Sequence, residues 1–574
     1  MKSTFRNGLL IFGVLALATA CQQQGSAPGQ PESGETEAGQ ATKEAAFDLA
    51  DAPRHAFDVD RFSRDLQTLA SDEFEGRAPG SRGERLTVDY LVAQFAEAGL
   101  KPGYGDSYLQ PVPMVELTNQ ERTPIAVSQA GEEYTLEYPE QMVIGSRRPG
   151  TGAHEVNDSE LVFVGYGVVA PEYGWNDYAG LDVKGKTVVI LVNDPGYADP
   201  DSGRFNGRAM TYYGRWTYKY EEAARQGAAA ALIVHETEPA SYPWEVVINS
   251  WSGPEFVLAE RGDQPLLALE GWITAEAAGE LFRRAGLDWE REKARAAQPG
   301  FKAIPLQGTV SARVRNSERQ GVSYNVLGLL EGTKRPDEAV VYMAHWDHLG
   351  RNMALPGTAG IFNGAIDNAT GTATLLELAR MQAAEGPAAR SQLFIAVTLE
   401  EYGLLGSQHY VNDPVFDPAD TVAVINFDAF NFMAGPTEDM VVIGKGASEL
   451  EDLLAAVLAE AGREITAEPT PEAGYYYRSD HFNFAKAGIP ALYAKSGTRH
   501  VIHGEDYVRK IERDYRDRRY HKPADVYDPN WDFSGLAQDA TALWRVGRTL
   551  AEAPVWPNWR PGNEFRALRD RQRP

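Results

Sequence analysis

Five side chains between residues 340 and 430 stand out as candidates for binding divalent metals or for working beside them. One is an imidazole and four are carboxylates: His345, Asp367, Glu400, Glu401 and Asp428. Zinc and similar ions take imidazole and carboxylate ligands, and a catalytic ion keeps one position open for water. A pair of ions needs in addition a carboxylate between them. The residue types therefore predict a metal enzyme.

Short apolar segments precede these side chains. The segments are residues 340–344 before His345, residues 393–397 before Glu400 and Glu401, and residues 422–425 before Asp428. Such segments alternate with helical patterns, which is typical of parallel βαβ units. In parallel sheets the ligand site lies beyond the carboxyl ends of the strands. We therefore expect the candidate ligands to converge in one crevice.

Two further roles follow from position. Glu400 is next to a candidate ligand and is a candidate general base, because that role needs an unligated carboxylate near the attacking water. Asp347 follows His345 by two residues and is a candidate to orient its imidazole. Each motif alone has a simpler explanation, since a lone Glu-Glu is usually a solvated pair and Asp367 before a helix can be a cap. The ordered set of motifs carries the prediction.

That ordered set resembles the secreted co-catalytic zinc aminopeptidases of clan MH, a family that also contains glutamate carboxypeptidases and glutaminyl cyclases. The motifs that carry the resemblance are His345-Trp346-Asp347, Asp367-Asn368-Ala369-Thr370-Gly371, Glu400-Glu401-Tyr402-Gly403-Leu404-Leu405-Gly406-Ser407, Asn426-Phe427-Asp428, Ser479-Asp480-His481 and Tyr520-His521. They occur in the family's order.

The resemblance implies two zinc ions per chain and a role for each motif. His345 and Asp428 would bind one zinc, Glu401 and His521 the other, and Asp367 would bridge them. Glu400 would be the general base and Tyr520 a donor to the oxyanion. The late histidine is chosen by its context, Tyr-His followed four residues later by Asp525, over two alternatives, His500 and His503. His481 is expected to be structural and His348 to lie at the rim.

The resemblance also implies an α/β fold, a three-layer sandwich around a central, mostly parallel mixed sheet. The implied activity is hydrolysis of N-terminal residues from peptides. Alternatives are a glutaminyl cyclase-like or carboxypeptidase-like enzyme, or an inactive binding protein on the same scaffold. The carboxypeptidase is disfavoured because little chain follows His521, and the inactive protein because no ligand is missing.

The predicted domain organisation places an inserted domain within the peptidase domain. Its motif 183–189, followed by residues 223–230, resembles a β-rich protease-associated domain. The predicted segments are residues 1–21 (signal peptide), 22–50 (linker), 51–140 (first part of the peptidase domain), 141–310 (insert), 311–555 (catalytic domain) and 556–574 (tail).

The N-terminus has the layout of a bacterial lipoprotein signal. Lys2 and Arg6 precede an apolar segment, and small residues lead to Cys21. We expect Cys21 to be lipidated and to anchor an exported protein to a bacterial membrane, in the periplasm or at the cell surface, with the outer membrane as the expected site. Cys21 is the single cysteine, so no intramolecular disulfide is possible.

The net charge of the chain excludes one class of binding partner. A formal charge of −26 argues against nucleic-acid binding, which needs a basic surface. The family resemblance, and not the composition, implies that peptides are the substrates. Neither the oligomeric state nor the preferred N-terminal residue follows from the sequence.

Overall fold

The computed structural model describes residues 48–150, 152–260, 264–353 and 355–573. Its strands are β1 (Lys101–Pro102), β2 (Leu109–Arg122), β3 (Ile125–Gln129), β4 (Glu132–Leu136), β5 (Met142–Gly145), β6 (Ala153–Phe163), β7 (Val169–Ala170), β8 (Trp175–Asn176), β9 (Thr187–Leu191), β10 (Ala230–His235), β11 (Glu255–Leu258), β12 (Leu269–Thr274), β13 (Ile304–Leu330), β14 (Arg335–His345), β15 (Gly350–Arg351), β16 (Ile361–Phe362), β17 (Arg390–Val397), β18 (Thr421–Asn426), β19 (Asp439–Val442), β20 (Glu464–Ala467) and β21 (Ala491–Ser496).

The helices connect and cover these strands. They are α1 (Val59–Leu69), α2 (Arg82–Glu97), α3 (Pro195–Ala198), α4 (Trp216–Arg225), α5 (Thr237–Ala240), α6 (Trp244–Ser250), α7 (Ala275–Arg284), α8 (Trp289–Ala296), α9 (Thr370–Glu385), α10 (Leu405–Asn412), α11 (Leu450–Glu460), α12 (His481–Lys486), α13 (Glu505–Arg518), α14 (Ser534–Glu552) and α15 (Arg566–Gln572).

The central sheet of the catalytic part has the strand order β13–β17–β14–β18–β21–β19–β20. Strand β14 lies between β17 and β18 and is parallel to both, with Val341 level with Leu393 and Val424. The three apolar segments predicted as parallel strands are therefore neighbours. Their carboxyl ends lie at one edge, as the motif order requires.

Helices cover both faces of this sheet. Side chains of β14 alternate between two cores: Val340 and Tyr342 pack with α1, α2, α9 and α14, whereas Val341 and Met343 pack with α12 on the opposite face. Both faces are buried, which explains why the strands are nearly continuous apolar runs. The predicted three-layer α/β sandwich with a mostly parallel mixed sheet is confirmed.

The middle of the chain forms a second group of strands with its own cores. Strands β9, β10 and β12 are parallel, β5 pairs antiparallel with β12, and α4, α7 and α8 pack on them. The long strand β13 joins both groups, pairing with β6 near its start and with β17 at its end. The domain boundaries and the protease-associated identity of the insert stay predictions, and β13 runs across the predicted boundary at residue 310.

The N-terminal predictions fall partly outside the described residues, Cys21 among them. Within them, the first part of the predicted peptidase domain begins with the helices α1 and α2. Among the described residues, no helix combines the length and apolar character needed to cross a bilayer.

Candidate metal centre

The ends of three parallel strands supply most of the candidate ligands. His345 is the last residue of β14, Glu400 and Glu401 follow β17 by a short turn, and Asp428 lies two residues beyond β18. The imidazole of His345 is buried because Val340 to Ala344 hold the strand in the core. The position of each ligand thus follows from the strand before it.

Asp367 is held by its backbone. The amide groups of Ile366 and Asp367 donate to the carboxylate of Asp525 over 3.1 Å, and Asn368 Nδ2 donates to the carbonyl of Phe427 over 2.8 Å. The peptide bond between Asp367 and Asn368 is cis. Asp525 therefore fixes the loop that carries Asp367, a role that its position in the sequence did not indicate.

One group of candidate ligands surrounds His345. Its Nε2 atom lies 3.4 Å from Asp367 Oδ1 and 3.4 Å from Asp428 Oδ1. Glu400 belongs to the same group, since ligand atoms of His345, Glu400 and Asp428 all lie within 4.8 Å of one another. These atoms are close enough to share one ion.

A second group surrounds Glu401. His521 Nε2 lies 3.0 Å from Glu401 Oε2 and 3.3 Å from Asp367 Oδ2. The two oxygens of Asp367 thus face different histidines, His345 and His521. The charged form of Asp367 is stabilised by these imidazoles against the effect of burial, so its pKa lies well below its ordinary range.

His348 also lies in the second group. Its Nδ1 is 2.5 Å from Glu401 Oε1, and ligand atoms of His348, Asp367 and Glu401 lie within 4.8 Å of one another. The side chain is fully buried, so the prediction that His348 lies at the rim is wrong. Its position three residues after His345, in the loop that follows the same strand, was the signal that could have found it.

The donor set fits a pair of divalent cations. Four carboxylates, Asp367, Glu400, Glu401 and Asp428, gather in a largely buried space, which is costly unless cations compensate them. His345 Nε2 is buried without a hydrogen-bond partner, although two carboxylates face it. An imidazole nitrogen and carboxylates aimed at a common point are a typical zinc donor set.

Asp347 contacts the backbone that carries Glu400. Its Oδ1 accepts a hydrogen bond from the Glu400 amide over 3.1 Å, and burial raises its pKa to about 8. The Nδ1 atom of His345 lies 3.1 Å from the Asp347 carbonyl oxygen and 3.9 Å from the carboxylate. Asp347 therefore contacts its predicted neighbour His345 through the main chain, whereas its carboxylate binds the backbone amide of Glu400, a contact that was not predicted. Burial raises the pKa of Glu400 well above its ordinary range, and His345 opposes that shift.

Four other residues considered from the sequence, Tyr520, His500, His503 and His481, have different surroundings. Tyr520 is 46% exposed and its ring stacks on His521 with centroids 4.0 Å apart. The rings of His500 and His503 contact each other and the ring of Tyr507 in tilted or edge-to-face arrangements. His481 is buried between Tyr476 and Tyr493, and burial lowers its pKa to about 3.

Arg77 supports the loops of the centre, a role that sequence reasoning missed. Its buried guanidinium donates to the carbonyl oxygens of Trp346, Asn363, Gly364 and Leu69 over 2.6–2.9 Å. Burial lowers its pKa to about 10. It therefore ties the loop after His345 to the loop before Asp367.

The Arg77→Met variant is expected to lose about 3 kcal/mol or more of folding free energy, because several buried carbonyl groups lose their donor. Urea unfolding measures this change. Arg82→Met is the matched control: Arg82 lies on α2, is half exposed and donates to the Glu73 carbonyl. Equal stability of both variants would contradict the assigned role.

The fold and the site define an α/β protein with a candidate two-metal centre of the kind that metal-dependent hydrolases carry. Residues 325–544 match the model of peptidase family M28. A probable zinc metalloprotease of Pyrenophora tritici-repentis is 34% identical over 327 residues, which cover 50% of this chain and 68% of that protein. The chain belongs to peptidase family M28, which confirms the resemblance to zinc aminopeptidases.

Other similar proteins carry aminopeptidase names. Aminopeptidase NAALADL1 of Mus musculus is 32% identical over 219 residues, covering 37% of this chain and 26% of that protein. The chain spans about a quarter of the length of the mouse and rat NAALADL1 proteins. The solved structure of an aminopeptidase from Aneurinibacillus sp. strain AM-1 is 20% identical, with a TM-score of 0.45 and coverage of 88% of this chain and 95% of that one.

Proposed function

We propose that this protein is an extracytoplasmic aminopeptidase that binds two zinc ions and removes N-terminal residues from peptides. The observation that carries the proposal is that Asp367 belongs to both groups of candidate ligands: one of its carboxylate oxygens faces His345 and the other faces His521. Membership of family M28 and the aminopeptidase names of similar proteins support the same reaction.

The proposed ligands are His345 and Asp428 for one ion, and Glu401 and His521 for the other, with Asp367 between them. When bound, zinc polarises a substrate carbonyl and acidifies water. Glu400 takes the proton from the attacking water and passes it to the leaving amine. The Tyr520 hydroxyl, next to His521, donates to the oxygen that gains charge.

A substrate panel tests the reaction. Leucyl-p-nitroanilide, unblocked peptides and N-acetylated peptides are compared before and after dialysis against a chelator, with zinc counted by elemental analysis. We expect cleavage of the unblocked substrates alone. Activity should be lost after dialysis against the chelator and should return when zinc is added. Cyclisation of N-terminal glutamine without peptide cleavage would indicate a glutaminyl cyclase, and a folded protein that binds no zinc would indicate an inactive binding protein.

We also propose that Cys21 carries a lipid and anchors the protein outside the cytoplasm, on the strength of the signal-like residues before it. In a bacterial host, the full-length chain is expected to incorporate labelled palmitate and to fractionate with membranes. Cys21→Ser is expected to lose the label, with Ser26→Ala as a control in the same segment. A soluble, unlabelled wild-type chain would contradict the anchor.

A further inference from the structure

Helix α13 leads directly into two side chains of the candidate metal centre. Tyr520 and His521 follow the helix, so the segment 505–521 carries both the proposed oxyanion donor and one proposed zinc ligand. Within the helix itself, the buried residues are Val508 and Tyr515, and the other side chains are exposed or half-buried. A largely exposed helix therefore brings two functional side chains to the site.

The charges of α13 are paired within the helix and its C-terminal end. The pairs are Arg509 with Glu505, Arg518 with Asp514 and Arg519 with Asp514. Among the described residues, no ion pair or side-chain hydrogen bond joins residues 505–519 to a residue outside 505–522. A segment with few buried contacts opens locally at a fraction of the free energy of global unfolding.

Tyr515 packs α13 against the metal centre. Its ring is buried in a small apolar cluster with Ile366 and Ala429. Ile366 directly precedes Asp367, and Ala429 directly follows Asp428. The Tyr515 hydroxyl is buried without a hydrogen-bond partner, so packing of the ring provides this contact.

The chain is fixed to the fold on either side of this segment. Before it, the Val501 amide donates to the Pro436 carbonyl over 3.1 Å, and after it, the Asp525 carboxylate accepts from the Asp367 amide over 3.1 Å. Between these points, Gly504 precedes α13 with a φ of 71°. No heavy atom of the described residues, its chain neighbours aside, lies within 4 Å of the position that a Cβ would occupy there. Such a glycine can absorb a rotation of the helix, as hinge residues do.

We infer that residues 505–521 form a flap, and that closure of this flap places His521 in the group of ligands around Glu401. Tyr515 is the latch that holds the flap closed, and it acts through His521 as a positioning residue. This rests on the proposed function, since His521 is one of the proposed zinc ligands. Zinc binding and closure then favour each other, because an ion that uses His521 binds the closed form more tightly.

Hydrogen exchange of the wild-type full chain, with and without zinc chloride, tests the flap. In the zinc-free protein, the amide groups of α13 should exchange about 5–100-fold faster than in the zinc-loaded protein, the usual range of coupling between a ligand and a conformational change. Helix α7, in the middle part of the chain, is the control and should change little. Equal exchange of α13 in both samples, or an equal change in α7 and α13, would overturn the flap.

Substitutions of Tyr515 test the latch. Tyr515→Ala removes the ring and should weaken the binding of one of the two zinc ions by about 5–100-fold, measured by zinc titration against a competing chelator. Tyr515→Phe keeps the ring and should bind both ions as the wild type does, because the hydroxyl has no partner. Arg516→Ala, an exposed change at the next position of α13, is the control and should also bind both.

A double-mutant cycle with His521→Ala shows whether Tyr515 acts through His521. If it does, Tyr515→Ala should leave the zinc affinities unchanged once the His521 imidazole is absent. If Tyr515 only supports the loops of Asp367 and Asp428, its full effect would persist in the His521→Ala background, and the flap would be overturned. If Tyr515→Ala does not fold, the exchange comparison on the wild-type chain decides.

Peptide cleavage separates this inference from the proposed function. Cleavage of leucyl-p-nitroanilide, together with exchange of α13 that does not depend on zinc, would overturn the flap and leave the aminopeptidase intact. Protection of α13 by zinc without cleavage of any peptide would support the flap and overturn the aminopeptidase.

Discussion

Replacing Glu400 by glutamine is expected to lower kcat by roughly 10²–10⁴-fold, the range that general-base catalysis contributes, while zinc content stays at the wild-type value. The carboxylate lies among the ligand atoms of His345 and Asp428, and its backbone amide is fixed by Asp347. Glutamine keeps the shape of the side chain and cannot accept the proton. Steady-state kinetics gives kcat, and elemental analysis of the same sample gives the zinc content.

Metal content decides between two roles for Glu400. Its position in the group around His345 is also close enough for a ligand. A base leaves the ions in place when it is replaced, whereas loss of a ligand releases one of them. Full activity of Glu400→Gln would contradict the base, and loss of zinc together with activity would make Glu400 a ligand. Glu133→Gln, an exposed change on β4, is the control for both readouts.

The sequence was sufficient to predict the sheet and the strand-end ligands. Apolar runs before His345, Glu401 and Asp428 defined parallel strands, and parallel strands end at one edge whatever the rest of the chain does. The structure brings these residues together as that geometry requires. An apolar run and the residue that directly follows it are local signals, which explains why they can be read from the sequence.

The supporting residues could not be predicted in this way. Arg77 and Asp525 act through backbone groups of distant loops, and no spacing in the sequence relates them to Asp367. His521 was chosen from a family motif, because its approach to Glu401 depends on how a segment far along the chain returns to the sheet. Each of these depends on tertiary contacts.

Replacing Asp367 by alanine is expected to have the largest effect on the metal centre. Its Oδ1 lies 3.4 Å from the His345 imidazole and its Oδ2 lies 3.3 Å from the His521 imidazole, so one side chain serves both groups of ligands. Its removal leaves neighbouring carboxylates and imidazoles without the shared anion. We expect zinc content after dialysis to fall from two ions per chain to fewer than one, and activity to fall below detection.

A graded series shows whether that loss comes from the shared carboxylate or from a disturbed loop. Asp525→Ala removes the acceptor of the Ile366 and Asp367 amides but leaves the Asp367 carboxylate present, so it should weaken zinc binding by about 10–100-fold, as loss of an outer partner does. Asp367→Ala should exceed that loss in a zinc titration, and Asp506→Asn, an exposed change on α13, should cause none. If Asp367→Ala instead retained two ions with wild-type affinity, the Asp367 carboxylate would contribute nothing to zinc binding. Each ion would then be held by its other ligands alone.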